Sequence, residues 1–159
     1  MDQAQIRSLE EVQQTYPTFD RALVILHVDD DPMNLRVVEE ILGVFHHTAI
    51  KTTSGAEALR LIDQQPFDVV LMDIHMPGMT GIETVAALRS RPGPERNLPV
   101  IALTADVHSR HPSEYAELGF NDFVSKPILV AGLLHAIKRA AEPEADAVSA
   151  CASSARRAL

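Results

Sequence analysis

Short apolar runs recur along the middle of the chain and alternate with segments in which apolar residues follow a helical spacing. Continuous apolar runs of this length are typical of strands that are buried on both faces of a sheet. The predicted strands are ALVILHV (22–28), TAIKTT (48–53), FDVVLMD (67–73), LPVIALTA (98–105) and NDFVS (121–125). The pattern therefore indicates five strands joined by helices.

The first predicted helix has the clearest start signals. Asp31 can cap it, and Pro32 suits the first helical position. Its inward face is expected to carry Val37, Val38, Ile41, Leu42 and Phe45. A second helix, capped by Ser54, runs to about Gln64. The remaining helices are predicted at 82–89, 113–118 and 128–141. Because proline fits poorly inside a helix, Pro112 makes the fourth helix begin late or bend.

Strands that alternate with helices in this way form a parallel sheet with helices on both sides. Right-handed crossovers leave the strand order 2-1-3-4-5 as the natural arrangement. We therefore predict an α/β fold, a flavodoxin-like doubly wound five-stranded sheet with five helices. This domain is expected to span 21–141, after an N-terminal extension at 1–20. A tail rich in alanine and serine at 142–159 is predicted to be flexible.

Composition narrows the possible classes of function. The formal net charge of −8 argues against direct nucleic-acid binding, which requires a basic surface. Cys151 is the single cysteine, so no internal disulfide can form and nothing indicates an oxidising compartment. The N-terminal residues lack a signal-peptide pattern, and no segment has the roughly 18 apolar residues of a membrane span. These features predict a cytoplasmic protein without membrane insertion.

Acidic residues cluster where the predicted strands end. Asp29, Asp30 and Asp31 follow the first strand, and Asp73 ends the third. The carboxyl ends of parallel strands meet at one edge, where sheets of this type bind ligands. Converging carboxylates repel one another, and a hard divalent cation such as Mg²⁺ relieves that repulsion. The strand ends therefore predict a magnesium site.

A hydroxyl and an amine complete this cluster. Thr104 comes at the end of the fourth strand, and Lys126 follows the fifth. They offer a hydrogen-bond donor and a positive charge, which suit an anionic phosphoryl group. Asp73 lies among them, where a metal-held carboxylate can act as a nucleophile and form an acyl phosphate. Each residue alone has an ordinary structural explanation, and only the joint pattern favours phosphoryl transfer.

Four motifs in this order resemble the receiver domain of bacterial response regulators. They are VDDDP (28–32), DVVLMDIHMPGMTG (68–81), VIALTA (100–105) and DFVSKP (122–127). The resemblance covers about residues 21–141, and the wording of the first and last motifs is most similar to receivers of phosphorelays and hybrid kinases. It implies a phospho-accepting signalling switch that is not an enzyme with a separate substrate.

The resemblance also implies a role for each acidic residue. Asp73 is the phospho-acceptor and a metal ligand. Asp30 binds Mg²⁺ directly, whereas Asp29 binds it mainly through a water molecule. The backbone carbonyl of His75 is a further metal ligand. The side chains of His75 and Asp106 occupy positions that influence the lifetime of the phosphoryl group.

The remaining site residues are implied to sense the phosphoryl group. Thr104 binds one phosphoryl oxygen and shifts on phosphorylation, and Lys126 binds another. Phe123 falls where the family has a rotating aromatic side chain, so Thr104 and Phe123 form the expected switch. The bond between Lys126 and Pro127 is expected to be cis.

The implied phosphodonor is a histidine kinase or a histidine phosphotransfer protein. The implied output surface is the fourth helix, fifth strand and fifth helix, which would bind a downstream effector. The chain is interpreted as a stand-alone receiver, in chemotaxis-like signalling or as a relay to a histidine phosphotransfer protein. Two alternatives are a degenerate scaffold, which the complete site argues against, and a metal-dependent phosphohydrolase. Haloacid-dehalogenase-type enzymes have an aspartate where this chain has His75, and no cap domain is present.

Histidines raise a separate question about metal binding. His27 interrupts the first strand where receivers usually carry an aliphatic residue, and we expect it to be buried and neutral. His46, His47, His108 and His111 are expected at the surface, because their spacing does not favour a zinc site.

Overall fold

A computed structural model describes residues 16–106, 108 and 110–142 of the protein. The strands are β1 (Val24–Val28), β2 (Thr48–Thr52), β3 (Val69–Asp73), β4 (Val100–Thr104) and β5 (Asp122–Ser125). The helices are α1 (Pro32–Val44), α2 (Gly55–Gln64), α3 (Gly81–Arg89), α4 (Pro112–Leu118) and α5 (Val130–Ala141), with a 3-10 turn at Pro94–Asn97. The extension at 1–20 and the tail at 142–159 lie largely outside the described residues, so the domain boundaries stay predictions.

The sheet has the predicted architecture. Its strand order is β2-β1-β3-β4-β5, and every neighbouring pair is parallel. Both fold class and strand order are therefore confirmed. The register sets Asp73 opposite Leu103 and Thr104 opposite Ser125. The residues that follow β1, β3, β4 and β5 consequently meet at one edge of the sheet.

Two apolar layers cover the sheet, one on each face. On one face, β1, β3 and β4 pack against α2, α3 and Tyr115 of α4. On the other, β1, β3, β4 and β5 pack against α1 and α5. All five residues of β3 and of β4 are buried, as the continuous apolar runs predicted. This two-sided burial fixes the strand ends and hence the residues that follow them.

The ends of the helices follow the predicted signals. The Asp31 side chain accepts a hydrogen bond from the backbone N–H of Met33, and Ser54 caps α2 in the same way through Glu57. Helix α4 begins with Pro112 in its first turn, in agreement with the predicted late start. Helix α5 starts at Val130, two residues later than expected.

Two predictions of burial are wrong. Val37 is 41% exposed, because α1 turns the stripe formed by Leu35, Val38 and Leu42 toward the sheet. His47 is buried instead of lying on the surface. Its Nδ1 accepts a hydrogen bond of 3.0 Å from the backbone N–H of Leu23 just before β1, and burial lowers its pKa.

Arg89 at the end of α3 holds the turn between α4 and β5. Its guanidinium donates two hydrogen bonds to the carbonyl of Gly119, at 2.9 and 2.7 Å, and another of 2.9 Å to Asn121 Oδ1. It also donates to the carbonyls of Arg96 and Leu98 beside the 3-10 turn. These bonds fix the C-terminal end of α4 to the body of the domain.

None of the described helices has the length and apolar content needed to cross a bilayer.

Candidate functional site

Three carboxylates meet at the edge where the strands end. Ligand atoms of Asp29, Asp30 and Asp73 lie within 4.8 Å of one another, and no other group of this kind occurs among the described residues. Asp29 and Asp73 are buried, whereas Asp30 is exposed. Carboxylate oxygens are the ligands that hard cations such as Mg²⁺ prefer. The donor set therefore fits the predicted metal.

Asp29 is fully buried, and its carboxylate is well supplied with donors. Its Oδ1 accepts a 2.9 Å hydrogen bond from the backbone N–H of Asp31. Its Oδ2 accepts bonds from Lys126 Nζ at 3.1 Å and from Asn34 Nδ2 at 3.2 Å. A buried charge requires such partners. Sequence reasoning missed Asn34, although its place in the first turn after Pro32 was a usable signal.

Lys126 lies between two acids. Besides its bond to Asp29, its Nζ is 3.3 Å from Asp73 Oδ2. Burial opposes the charge on Lys126, but the hydrogen bonds and negative charges of both aspartates outweigh it and raise the pKa of the amine. The Lys126-Pro127 peptide is cis, as expected.

Asp73 ends β3 in an electrostatically unfavourable position for a carboxylate. Burial and the nearby charge of Asp29 raise the pKa of Asp73 to about 6, although Lys126 and a backbone bond act in the other direction. That backbone bond, 3.2 Å long, comes from the N–H of His75 to Asp73 Oδ1. A bound cation would relieve the repulsion between Asp73 and Asp29.

The two predicted switch residues lie on neighbouring strands. Thr104 ends β4, and Phe123 lies on β5. Thr104 is buried, and its hydroxyl is engaged by the backbone of Asp106, donating to the carbonyl and accepting from the N–H at 3.1 Å. Phe123 is half-buried on β5, and its ring packs on Tyr115 of α4. The side chains of His75 and Asp106 are exposed. The structure thus groups Lys126 with Asp29 and Asp73, whereas the Phe123 ring contacts α4.

His27 is buried directly behind the acids. Neither ring nitrogen has a hydrogen-bond partner among the described residues, and Nε2 is 3.9 Å from Asp29 Oδ2, too far for a hydrogen bond. Burial lowers the pKa of His27 to about 4, against the attraction of Asp29. These observations support the expectation of a buried, neutral histidine.

Gly81 lets the loop after β3 close against Asp73. Its N–H donates a 3.0 Å bond to the carbonyl of Ile74. A Cβ atom at this position would be only 2.2 Å from the carbonyl oxygen of Asp73. Only glycine allows this approach without moving the end of β3. The loop chemistry of MPGMTG was evident from the sequence, but this close contact was not.

Comparison with known proteins agrees with this geometry. The sequence model of the response regulator receiver domain matches residues 25–138. The chain belongs to this family. Curated relatives of this receiver include the sensor protein GacS of Pseudomonas syringae pv. syringae, 36% identical over 115 residues, which are 70% of this chain and 13% of that protein. The aerobic respiration control sensor protein ArcB of Escherichia coli is 34% identical over 74% of this chain and 15% of its own length. The receiver therefore spans less than a sixth of either relative.

Solved structures show the same fold. Chemotaxis protein CheY4 of Vibrio cholerae matches the receiver with a TM-score of 0.69 and 27% identity, over 76% of this chain and 99% of that one. The receiver domain of sensor histidine kinase PA1611 from Pseudomonas aeruginosa matches with a TM-score of 0.68 and 29% identity, over 76% and 98% of the two chains. That structure has a magnesium ion coordinated in its active-site cleft.

Proposed function

We propose that the receiver accepts a phosphoryl group on Asp73, with Mg²⁺ as its cofactor. The observation that carries this proposal is the position of Asp73 within 4.8 Å of two other carboxylates and 3.3 Å from Lys126. Asp30, Asp73 and the carbonyl of His75 would bind the metal directly, and Asp29 mainly through a water molecule. The magnesium in the PA1611 receiver domain supports this choice of ion.

In the proposed transfer, a carboxylate oxygen of Asp73 attacks the phosphorus atom of a phosphohistidine. A new P–O bond forms as the P–N bond breaks, and the electron pair of that bond stays on the imidazole of the donor. Lys126 and Thr104 each bind an oxygen of the phosphoryl group and so stabilise it. Magnesium, when bound, supplies positive charge that offsets the charge of the phosphoryl oxygens.

The proposed donor is a histidine kinase or a histidine phosphotransfer protein, which the similarity to sensor kinases supports. Two exposed apolar side chains that follow site residues closely in the chain are candidate contacts for a protein donor. Met33 in the first turn of α1 is 66% exposed, and Leu129 after Pro127 is 69% exposed.

The proposed output is a change of the surface formed by α4, β5 and α5. For Thr104 to donate to the phosphoryl group, its single hydroxyl proton must leave the carbonyl of Asp106, which lies between β4 and α4. Phe123 then turns on β5 and alters the surface that a downstream effector would bind. The receiver acts in this proposal as a switch rather than as an enzyme that turns over a separate substrate.

We assign the lifetime of the acyl phosphate to the exposed side chains of His75 and Asp106. Each follows a site residue by two positions, and its side chain is exposed to solvent. Replacement of either by alanine is expected to change the hydrolysis rate of the acyl phosphate by more than about threefold, since positioned polar groups affect proton transfer to and from water. An unchanged rate in both variants would remove this assignment.

The decisive experiment is intact-mass measurement after incubation with acetyl phosphate and Mg²⁺. The wild type is expected to gain one phosphoryl adduct, and Asp73→Asn none. Asp20→Asn, an exposed acid outside the site, is the matched control and should behave as the wild type. No adduct on the wild type would favour a scaffold, and continued turnover of phosphate esters would favour a phosphohydrolase.

We also propose that the receiver acts in the cytoplasm. An immunoblot of fractionated source cells tests this location. A band in the cytoplasmic fraction is expected, and a band confined to the membrane fraction would contradict it.

A further inference from the structure

Asp29 Oδ2 is shared by two donors of different charge. The cationic Lys126 Nζ lies 3.1 Å from it, and the neutral amide of Asn34 lies 3.2 Å from it. Asp29 is fully buried, so its Oδ2 depends on these protein donors. A buried acceptor without a partner is costly, and a charged one especially so.

Lys126 also contacts Asp73, at 3.3 Å. If Asp73 carries a phosphoryl group, the attraction of that group draws Lys126 Nζ to a phosphoryl oxygen. Lys126 then weakens or gives up its bond to Asp29 Oδ2. The Asn34 amide, held on the first turn of α1, does not depend on the state of Asp73 and continues to donate to that oxygen.

We propose that Asn34 is a positioning residue that allows Lys126 to move from Asp29 to the phosphoryl group. Its amide satisfies Asp29 Oδ2 without adding positive charge, so Asp29 keeps its full negative charge for the cation. The cap of α1 is already supplied by Asp31, and the Asn34 side chain is therefore not needed to start the helix. This inference rests on the function proposed above.

The test uses beryllofluoride, a non-covalent mimic of the phosphoryl group, with the full chain and Mg²⁺. Its dissociation constant is measured by fluorine NMR for the wild type, Asn34→Ala and Asn34→Asp. Both variants are expected to bind about tenfold more weakly, because each removes the donor to a buried carboxylate. Asn97→Ala, on the exposed 3-10 turn, is the matched control and should bind as the wild type does.

A double-mutant cycle separates this role from a merely structural one. In the Lys126→Met background, Asn34→Ala is expected to change beryllofluoride binding by less than about twofold, because no lysine leaves Asp29 there. An equal loss in both backgrounds would overturn the proposal. So would a parallel loss of Mg²⁺ affinity, measured by calorimetry without beryllofluoride, which would place the effect at the cation.

Failure of this inference and failure of the proposed function give different results. If the wild type neither binds beryllofluoride nor gains a phosphoryl adduct, the proposed function is wrong. If the wild type does both and Asn34→Ala binds beryllofluoride normally, only the role of Asn34 is wrong. Thermal unfolding by circular dichroism verifies that each variant is folded before binding is measured.

Discussion

The ring of Tyr115 on α4 stacks on the ring of Phe123 on β5, with centroids 4.9 Å apart and planes inclined by 18°. Tyr115 is only 2% exposed, and its hydroxyl has no hydrogen-bond partner among the described residues. The aromatic side chain that we assign to the switch is thus held by a neighbour with an unsatisfied polar group. Such groups are rare in folded proteins because they cost free energy.

Removal of that hydroxyl is expected to stabilise the arrangement. Tyr115→Phe should raise the free energy of unfolding by about 1 kcal/mol, because it keeps the ring and removes a buried unpaired group. Tyr115→Ala should lower it by about 3 kcal/mol, because it leaves a cavity beside Phe123. Urea unfolding measures both values. A Tyr115→Phe protein less stable than the wild type would mean that the hydroxyl makes a favourable bond.

Asp73→Asn is expected to stabilise the fold at neutral pH. The pKa of Asp73 is raised from 3.8 to about 6 in the folded state, so its protonated form is favoured by folding. The contribution of Asp73 protonation to the free energy of unfolding is fully present below pH 3.8, and it is lost as the pH rises through about 6. The variant should therefore gain about 1 kcal/mol at pH 7.5, after allowance for solvent screening, and little at pH 4. Unfolding curves without Mg²⁺ at the two pH values test this dependence.

His27 makes stability depend on pH in the opposite direction. The folded state lowers its pKa from 6.5 to about 4. Burial outweighs the attraction of Asp29, and repulsion from Lys126 acts in the same direction as burial. The unfolded chain therefore binds a proton that the folded chain excludes. The free energy of unfolding is therefore unaffected by His27 above pH 6.5, and it falls by about 3 kcal/mol as the pH drops to about 4.

His27→Leu removes this dependence while keeping an apolar side chain of similar size. The free energy of unfolding is measured at pH 4.5 and pH 7.5 for both proteins. Asp73 titrates in the wild type and in the variant alike, so the difference between the pH responses of the two proteins reports on His27. The wild type should lose more stability than the variant on acidification. Equal losses would mean that His27 titrates normally in the folded protein.

Gly81→Ala is expected to lower the stability of the fold and to slow phosphoryl uptake by Asp73. The added Cβ would lie 2.2 Å from the carbonyl of Asp73, so the end of β3 must move. The expected cost is about 1–3 kcal/mol of stability, with slower phosphoryl uptake. Gly132→Ala on α5 is the matched control, since its Cβ meets nothing within 4 Å. The control should be neutral or more stable by up to about 1 kcal/mol. Uptake at the wild-type rate in Gly81→Ala would contradict the prediction.

The sheet and the acidic edge were predictable from the sequence because their signals are local. The apolar runs of β3 and β4 are long enough to identify strands buried on both faces, and parallel strands necessarily end at the same edge. Once the strand order is known, Asp29, Asp73 and Lys126 must be neighbours. Their convergence is a consequence of topology and required no knowledge of side-chain packing.

The features that sequence reasoning missed depend on the rotation and docking of whole elements. Leu35 and Val37 are both apolar, and only the way α1 packs decides which is buried. His47 is buried because Phe19, from the segment before β1, packs against its ring at 4.4 Å. Asn34 reaches Asp29 only because α1 starts close to the end of β1. Periodicity carries no information about such contacts.

The bonds from Arg89 to the carbonyl of Gly119 hold the C-terminal end of α4 in place. A rigid helix of seven residues is about 10 Å long, so it behaves as a short lever with its fulcrum at Gly119. A tilt of only about 10° displaces the opposite end, at Pro112, by nearly 2 Å, whereas the fulcrum stays in place. Because Tyr115 lies within this helix and stacks on Phe123, such a tilt would also move the ring that packs on the switch residue.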